Sequence, residues 1–424
     1  MLLQFSCANF RSINEKCTLS LRAKSISDEP RNNVVKLGKN TKVLKTIALY
    51  GANSSGKSNF IKAFGAMLFH VLESVKLNDG DRLIFDPFRL LKNNDGPTQF
   101  EVVFSVEEIV FRYGFEFNAT KIVGEWLYKS TINNKKEEAY FIRTEEGIAV
   151  NETAFPEGVG KEESTLDNRL FLSLCAQLNG PTAKVIISSL RCMSVLSGID
   201  SIGYRGYTQQ MLHNHLDGYE KALEFFYQSQ LGFNSIGTKE KDISEEIKLG
   251  GIPEEMREDL VRQLKGKKSI ILYSNHNVYN KEGKIVDSIN FDIDEESEGT
   301  KKLIEISGPI FDTLANGYVL WIDELDAKMH PLISNHLVKL FESPITNPLN
   351  AQLIFSTHDT NLLSSKLLRR DQIWFTEKDA SEQTDLYNMM DIELPDGTKP
   401  RNDSNYERNY IAGRYGAIPY IQNN

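Results

Sequence analysis

Cysteine is scarce. The 424 residues hold four, Cys7, Cys17, Cys175 and Cys192, with no CxxC or other metal-binding spacing. A long chain with a few scattered thiols excludes a disulfide scaffold and suits a reducing compartment. Long apolar runs are missing too, and none reaches membrane-spanning length. The opening MLLQFSCANFRSI has no basic stretch, no extended apolar core and no cleavage site. The expectation is therefore a cytoplasmic chain with no signal peptide and no membrane partner. Positive charge is not in excess, since 49 Lys and Arg face 58 Asp and Glu for a net charge of −9. That argues against a surface coated for nucleic acid and still allows a local basic groove. The basic pieces KGKK at 265–268 and LLRR at 367–370 are short and read as solvated faces. Internal repeats and low-complexity stretches are absent, as is any heptad segment long enough for a coiled-coil arm.

What is present is ordinary globular material, 40% hydrophobic and 25% charged. The length implies two or three domains, or one with large insertions. Residues 1–50 read as strands, LLQFSCANF, KCTLSLRAK and VLKTIALY, with SDEPRNNVVKLGKNTK as a loop before the last. After Gly51 the pattern turns helical, with Phe60, Ile61, Phe64, Met67, Leu68 and Val71 spaced by three and four. Between about 98 and 150, FEVVFSV, IVFRYGFEF, GEWLYKSTI, EEAYFIRT and GIAV alternate between turn residues, as an antiparallel meander does. Residues 162–268 read as mainly helical, and SIILYS and SINFDID as a strand pair. A further helix runs to about 315, and Pro309 is expected to kink it or end it early. YVLWIDE and AQLIFSTHD are short apolar runs with polar ends, the pattern of buried parallel strands.

Three motifs carry chemistry. Gly51-Ala52-Asn53-Ser54-Ser55-Gly56-Lys57-Ser58 fits GxxxxGK[ST] between a strand and a helix. The glycines let backbone wrap a phosphate, inward N–H groups as far as Asn59 and the start of the following helix favour the anion, Lys57 neutralises β- and γ-phosphates, and Ser58 suits Mg²⁺. Asp323 and Glu324 close the strand YVLWIDE. There Asp323 can hold Mg²⁺ and Glu324 can polarise an attacking water, although a plain capping turn has the same residues. Thr357-His358-Asp359 closes the next strand, where His358 can meet Glu324 at one sheet edge and sense a γ-phosphate. His330, before Pro331, reads as a capping or packing residue.

In this order the chain resembles the ABC-type ATPases, whose signature turn precedes the Walker B strand by one helix. Ser297-Glu298-Gly299-Thr300 stands in that place, although Glu296, Glu298 and Thr300 depart from the family's turn. The resemblance implies that Ser297 and Gly299 bind the γ-phosphate held by another copy, while a simple helix cap at Ser297 remains open. Leu325-Asp326 fits the family's D-loop, and Gln99 is a weak candidate for its glutamine loop. ANFRSI, GANSSGKSN, SEGTKKL, IDELDAKMHP, STHD and NYIAGRYGAIP together look like the bacterial ABC-like AAA ATPases related to structural-maintenance and OLD proteins, including the RloA, AbiL and AriA subunits of phage-defence operons.

That resemblance implies an α/β P-loop ABC-type ATPase fold with a mixed sheet, an antiparallel β meander and a large, mainly helical insertion. The expected divisions are 1–150, 151–290 and 291–424. It also implies ATP and Mg²⁺, an ATP-driven homodimer or higher oligomer, and phage defence through a separate effector such as a nuclease. No Toprim nuclease of the OLD kind is expected in the short stretch after His358. Nucleic acid stays open as a partner, through a nucleic-acid-clamping ATPase of the DNA repair type.

Overall fold

Short, wholly buried strands set the fold, seen in a computed structural model that describes residues 1–26, 32–39, 41–92, 94–242, 266–394, 397–401 and 404–419. The first half of the chain forms β1 (Leu2–Ala8), β2 (Cys17–Ser20), β3 (Val34–Lys36), β4 (Lys42–Leu44), β5 (Thr46–Tyr50), α1 (Lys57–Glu73), β6 (Thr98–Val106), β7 (Ile109–Phe117), β8 (Ile122–Thr131), β9 (Asn134–Thr144), β10 (Gly147–Val150), α2 (Phe171–Gln177), α3 (Pro181–Arg191) and β11 (Met193–Ser197). Next come α4 (Arg205–Asn214), α5 (Tyr219–Gln228), β12 (Ser235–Asp242), β13 (Lys268–Tyr279), β14 (Ile285–Asp292) and α6 (Glu298–Asn316). The chain then forms β15 (Val319–Asp323), α7 (Pro331–Glu342), β16 (Gln352–Ser356), β17 (Ile373–Lys378), β18 (Thr384–Asn388) and α8 (Tyr406–Ile411). Two compact units result, Met1–Ser197 with Gly317–Asp326 and Ser334–Asn424, and Gly198–Asn316 with Ala327–Ile333. No helix among the described residues is long and apolar enough to cross a membrane.

The first unit holds a six-stranded sheet in the order β11-β15-β16-β5-β17-β18. Its first five strands run parallel and β18 antiparallel. β5 and β16 are buried throughout, which is why both read as uninterrupted apolar runs. A second, antiparallel sheet runs β10-β9-β8-β7-β6-β1-β2, so the expected meander is joined by the first two strands of the chain. Aromatic rings fill the space around α1. Phe64 stacks on Trp321 of β15 at 4.5 Å, and Phe5 of β1 meets Phe64 edge-on at 5.0 Å. The segment read as a loop contains a small hairpin, in which Val34 pairs with Leu44; residues 27–31 and 40 of that segment lie outside the described residues.

The boundary drawn at 150/151 falls inside the first unit. Glu125 of β8, fully buried, accepts from the N–H groups of Phe171 (2.7 Å) and Leu172 (3.0 Å), and so fixes the start of α2 onto the meander. Glu157 does the same for α3 through Thr182 and Ala183.

The second unit is not a helical block. It pairs α4, α5 and α6 with the antiparallel sheet β12-β13-β14, so the boundary at 290/291 also falls inside a unit. β12, SIGTKEKD, is polar and largely exposed, and therefore lacks the alternation that marks a strand. The part of the helical reading on 243–265 lies outside the described residues. Pro309 does not end its helix, because α6 continues to Asn316. A proline here removes the N–H that would bond the Glu305 carbonyl, and Thr208 Oγ1 of α4 donates to that carbonyl instead. Gly308 permits the approach, since a Cβ there would lie 2.3 Å from Thr208 Oγ1.

Candidate nucleotide site

Each chemical motif of the first unit falls at the C-terminal end of a parallel strand. The phosphate loop follows β5, Asp323 and Glu324 close β15, and His358 follows β16. This edge is where open parallel sheets bind ligands. A cleft of about 630 Å³ there is lined by residues 53–59 with Glu324, His358 and Lys378.

The loop is braced from behind. Gly56 has φ +113°, and a Cβ would lie 2.0 Å from Thr384 Oγ1 of β18, so only glycine fits. A Cβ on Gly51 would come within 2.5 Å of Ser55 and Thr376. Ser55 Oγ and Thr376 Oγ1 are 2.6 Å apart, and Thr384 Oγ1 donates to the Ser55 carbonyl at 3.0 Å. Ser12 lies 2.8 Å from Thr384 Oγ1 and accepts from Asn59 Nδ2 at 2.8 Å, which extends the brace to the first helical turn. α1 starts with neither a side-chain cap nor an acid in its first turn, so its N-terminal N–H groups remain for an anion. Lys57 Nζ is held by the carbonyls of Gly51 (2.7 Å) and Ala52 (3.1 Å). Burial lowers its ammonium to about 8, against the pull of Asp323, Glu324 and Asp326.

The acids are tied to the loop by hydroxyls. Asp323 Oδ1 accepts from Ser58 Oγ at 3.1 Å and from Ser356 Oγ at 2.7 Å. The same Ser356 oxygen accepts from the Glu324 N–H at 2.7 Å. Glu324 has φ +58°, a left-handed conformation that is strained for a non-glycine residue. Asp326 Oδ2 accepts from the His358 N–H at 3.4 Å. Burial and then Lys57 lower the His358 imidazole below its ordinary value, while Asp326, Glu324 and Asp323 oppose this. His358 is therefore neutral near pH 7, able to donate from one ring nitrogen and accept at the other. Ser58 and Asp323 are hard oxygen donors of the kind Mg²⁺ takes. Among the described residues no group of three or more His, Cys, Asp or Glu could hold a metal alone. A Mg²⁺ here would complete its shell with phosphate oxygens and water, which is its usual habit.

Sequence reading did not single out Ser356, Thr384 or Lys378. Ser and Thr are too common to signal a site, and Lys378 matches no motif. Gln99 is not part of the cleft, and its amide instead donates to Glu116 at 2.9 Å within the meander.

In the second unit, Ser297 caps α6, and its Oγ accepts from the Thr300 N–H at 3.2 Å. Ser297 is exposed, and Gly299 sits in the first turn with the Lys328 carbonyl 3.0 Å from where a Cβ would be. His330 Nδ1 accepts from the Leu332 N–H at 3.2 Å, a capping role at the start of α7.

The sequence profile of the family described as "AAA domain, putative AbiEii toxin, Type IV TA system" matches residues 47–163 and 201–364. The chain belongs to this AAA-domain family. The matched stretches contain the phosphate loop, the Ser297 turn, Asp323, Glu324 and His358. No curated protein matches the chain. Among solved structures, this AAA-domain chain is similar to "SmcHead bound to the C-winged helix domain of ScpA", with 12% identity, TM-score 0.39, and 91% of this chain and 97% of that one covered. It is also similar to "the recombination mediator protein RecF-ATP in RecFOR pathway", with 14% identity, TM-score 0.28, and 91% and 97% covered.

Proposed function

We propose that the chain is a Mg²⁺-dependent ATPase of ABC type that dimerises on ATP and controls a separate effector, in antiviral defence of the kind its resemblance to RloA, AbiL and AriA implies. One observation carries the catalytic part of this reading: Ser58, Asp323, Ser356 and Glu324 form one hydrogen-bonded chain at the mouth of a phosphate loop. Lys57 and the N–H groups of residues 53–59 bind the phosphates. Bound Mg²⁺, held by Ser58 and Asp323, supplies charge neutralisation on the phosphate oxygens. Glu324 accepts a proton from the attacking water, and His358 donates to the γ-phosphate from its neutral ring.

Ser297 and Gly299 complete the site of a second copy, which gives a two-fold dimer with two composite sites. Residues 150–290 carry specificity for trigger or effector, a nuclease being one candidate class. Lys57→Ala should abolish ATP binding, whereas Glu324→Gln should bind ATP and release no phosphate. Unchanged nucleotide affinity in Lys57→Ala would sink the assignment.

A nucleic-acid-clamping ATPase is the second reading. It draws on a pocket of about 590 Å³ with Lys24, Lys36 and Lys42 in its lining; Arg369, read above as part of a solvated face, is instead buried and paired with Asp371 at 2.8 Å. Duplex binding that weakens linearly with log salt would favour it.

A further inference from the structure

The C-terminal motif NYIAGRYGAIP has no part in that chemistry, yet it packs against the nucleotide site. Its residues to Pro419 are described, while Tyr420 and Ile421 lie outside the described residues. Tyr410 of α8 stacks on Phe375 of β17 (5.6 Å) and meets Tyr50 edge-on (5.7 Å). Its hydroxyl donates to the Ala417 carbonyl at 3.1 Å. Tyr50 is the residue before the phosphate loop. Its own hydroxyl donates to the Asp359 carbonyl at 3.1 Å, one residue after His358. One residue further, Thr360 Oγ1 donates to Glu407 Oε1 of α8 at 2.8 Å.

The tail is itself held by burial and hydrogen bonds. Tyr415 is buried, its carbonyl accepts from Tyr387 Oη at 2.9 Å, and its hydroxyl accepts from Asn409 Nδ2 at 3.1 Å. Gly416 has φ +68°, and a Cβ there would lie 2.7 Å from Glu377 Oε2 and Tyr387 Oη.

A single short helix thus packs on Tyr50, immediately before the phosphate loop, through Tyr410 and bonds the turn after His358 through Glu407. We propose that α8 is a strut that holds these two pieces of the nucleotide site in register, with Tyr410, Glu407 and Thr360 as positioning residues. The proposal rests on the ATPase reading above. Packing alone does not account for Glu407, since only an acceptor at that position meets the Thr360 hydroxyl. Small displacements of reacting groups cost much of a rate, so tethers two residues from His358 bear on turnover.

The test uses the full chain and reads MgATP affinity, kcat and thermal midpoint for Tyr410→Leu, Thr360→Val, Glu407→Ala and Glu407→Gln. Losing one such bond is expected to lower kcat about fivefold in Thr360→Val and Glu407→Ala with ATP affinity within about twofold of wild type. Glu407→Gln, which keeps the acceptor oxygen, should restore kcat. Tyr410→Leu should instead weaken ATP binding about threefold or more, because its ring packs on Tyr50 just ahead of the loop. Folded variants with wild-type kcat and affinity overturn the strut, as does a Glu407→Gln protein as slow as Glu407→Ala. A wild-type chain that binds no ATP overturns both the strut and the ATPase reading, which separates the two failures.

Discussion

Ser356→Ala should disable hydrolysis while leaving nucleotide binding nearly intact. The hydroxyl it removes is fully buried and does two things at once, donating to Asp323 Oδ1 at 2.7 Å and accepting the Glu324 N–H at 2.7 Å. A hydrogen bond to a charged group contributes about 1.5–3 kcal/mol, and a donor left unpaired in the interior costs about 1–3 kcal/mol. The two losses share one atom and are not independent, so the expected destabilisation is about 2–4 kcal/mol. The N–H bond also helps keep Glu324 at φ +58°, a conformation whose strain is on the order of 1 kcal/mol. Without it, Glu324 relaxes toward an ordinary backbone conformation and its carboxylate swings away from the cleft.

A shift near 1 Å in a reacting group is worth about a hundredfold, so kcat should fall by about ten- to a hundredfold. Lys57 and the loop N–H groups are untouched, and the affinity for MgATP should stay within about threefold. Urea unfolding, single-turnover phosphate release and fluorescent-nucleotide titration measure the three quantities. A Ser356→Ala protein with wild-type kcat would refute the argument that this hydroxyl places both acids. An equal loss of binding and turnover would refute the separation of roles.

Two further outcomes are expected. Burial raises the Glu342 carboxyl from 4.5 to about 7, despite hydrogen bonds from Thr46 and Gln372. The folded value exceeds the unfolded one, so its stabilising share is present below about 4.5 and is lost as pH climbs toward 7. Wild type should therefore lose about 2–3 kcal/mol relative to Glu342→Gln between pH 5 and 8, and parallel stability curves would contradict this. For the dimer, Lys57→Ala and Ser297→Arg should each be inactive alone. Mixed, they should recover about half the activity per heterodimer, because both defects fall on one composite site; a dead mixture with demonstrable heterodimers would leave Ser297 as a helix cap only.

How far the sequence could be read depended on where each constraint lies. β5, β15 and β16 were legible because burial on both faces demands unbroken apolar runs, and the phosphate loop because its backbone admits so few residues. The hydroxyls around them were not. Thr384 reaches Ser55 across 329 residues and Ser356 reaches Glu324 across 32, and nothing local distinguishes either from an ordinary strand serine or threonine. Pro309 shows the same limit from the other side. Its local signal is a helix stop, and the group that overrides it, Thr208, lies 97 residues from the carbonyl it satisfies. The helices α2 and α3 were read as helices, but their membership of the first unit depends on distant carboxylates at their N-termini.

The acid-rich turn before α6 follows the same logic at short range. Four acids, Asp292, Asp294, Glu295 and Glu296, precede Ser297, and Glu298 follows it, a poor composition for meeting a phosphate. Each acid, however, has a local partner. Asp292 and Glu295 form a capping box with each other's backbone N–H groups, and Asp294 pairs with Arg205 at 2.9 Å. Glu296 lies 2.8 Å from His276 Nε2 and also accepts from Ser274. Glu298 turns onto Lys301 (2.6 Å) and Lys328 (2.8 Å), which hold its carboxyl down to about 2. The negative charge is thus drawn sideways into bonds. What remains facing out at the head of a 19-residue helix is the Ser297 hydroxyl and the first-turn N–H groups. A helix start of that length carries about half a positive charge, with its field strongest within the first turn. The cap that Ser297 makes uses one acceptor site on its oxygen, and its hydroxyl also lies 2.9 Å from Thr300 Oγ1, an exposed partner that a phosphate can replace. Capping and phosphate binding are therefore compatible at this residue: the departures from the family's turn change which side chains surround it without removing the donors a phosphate needs.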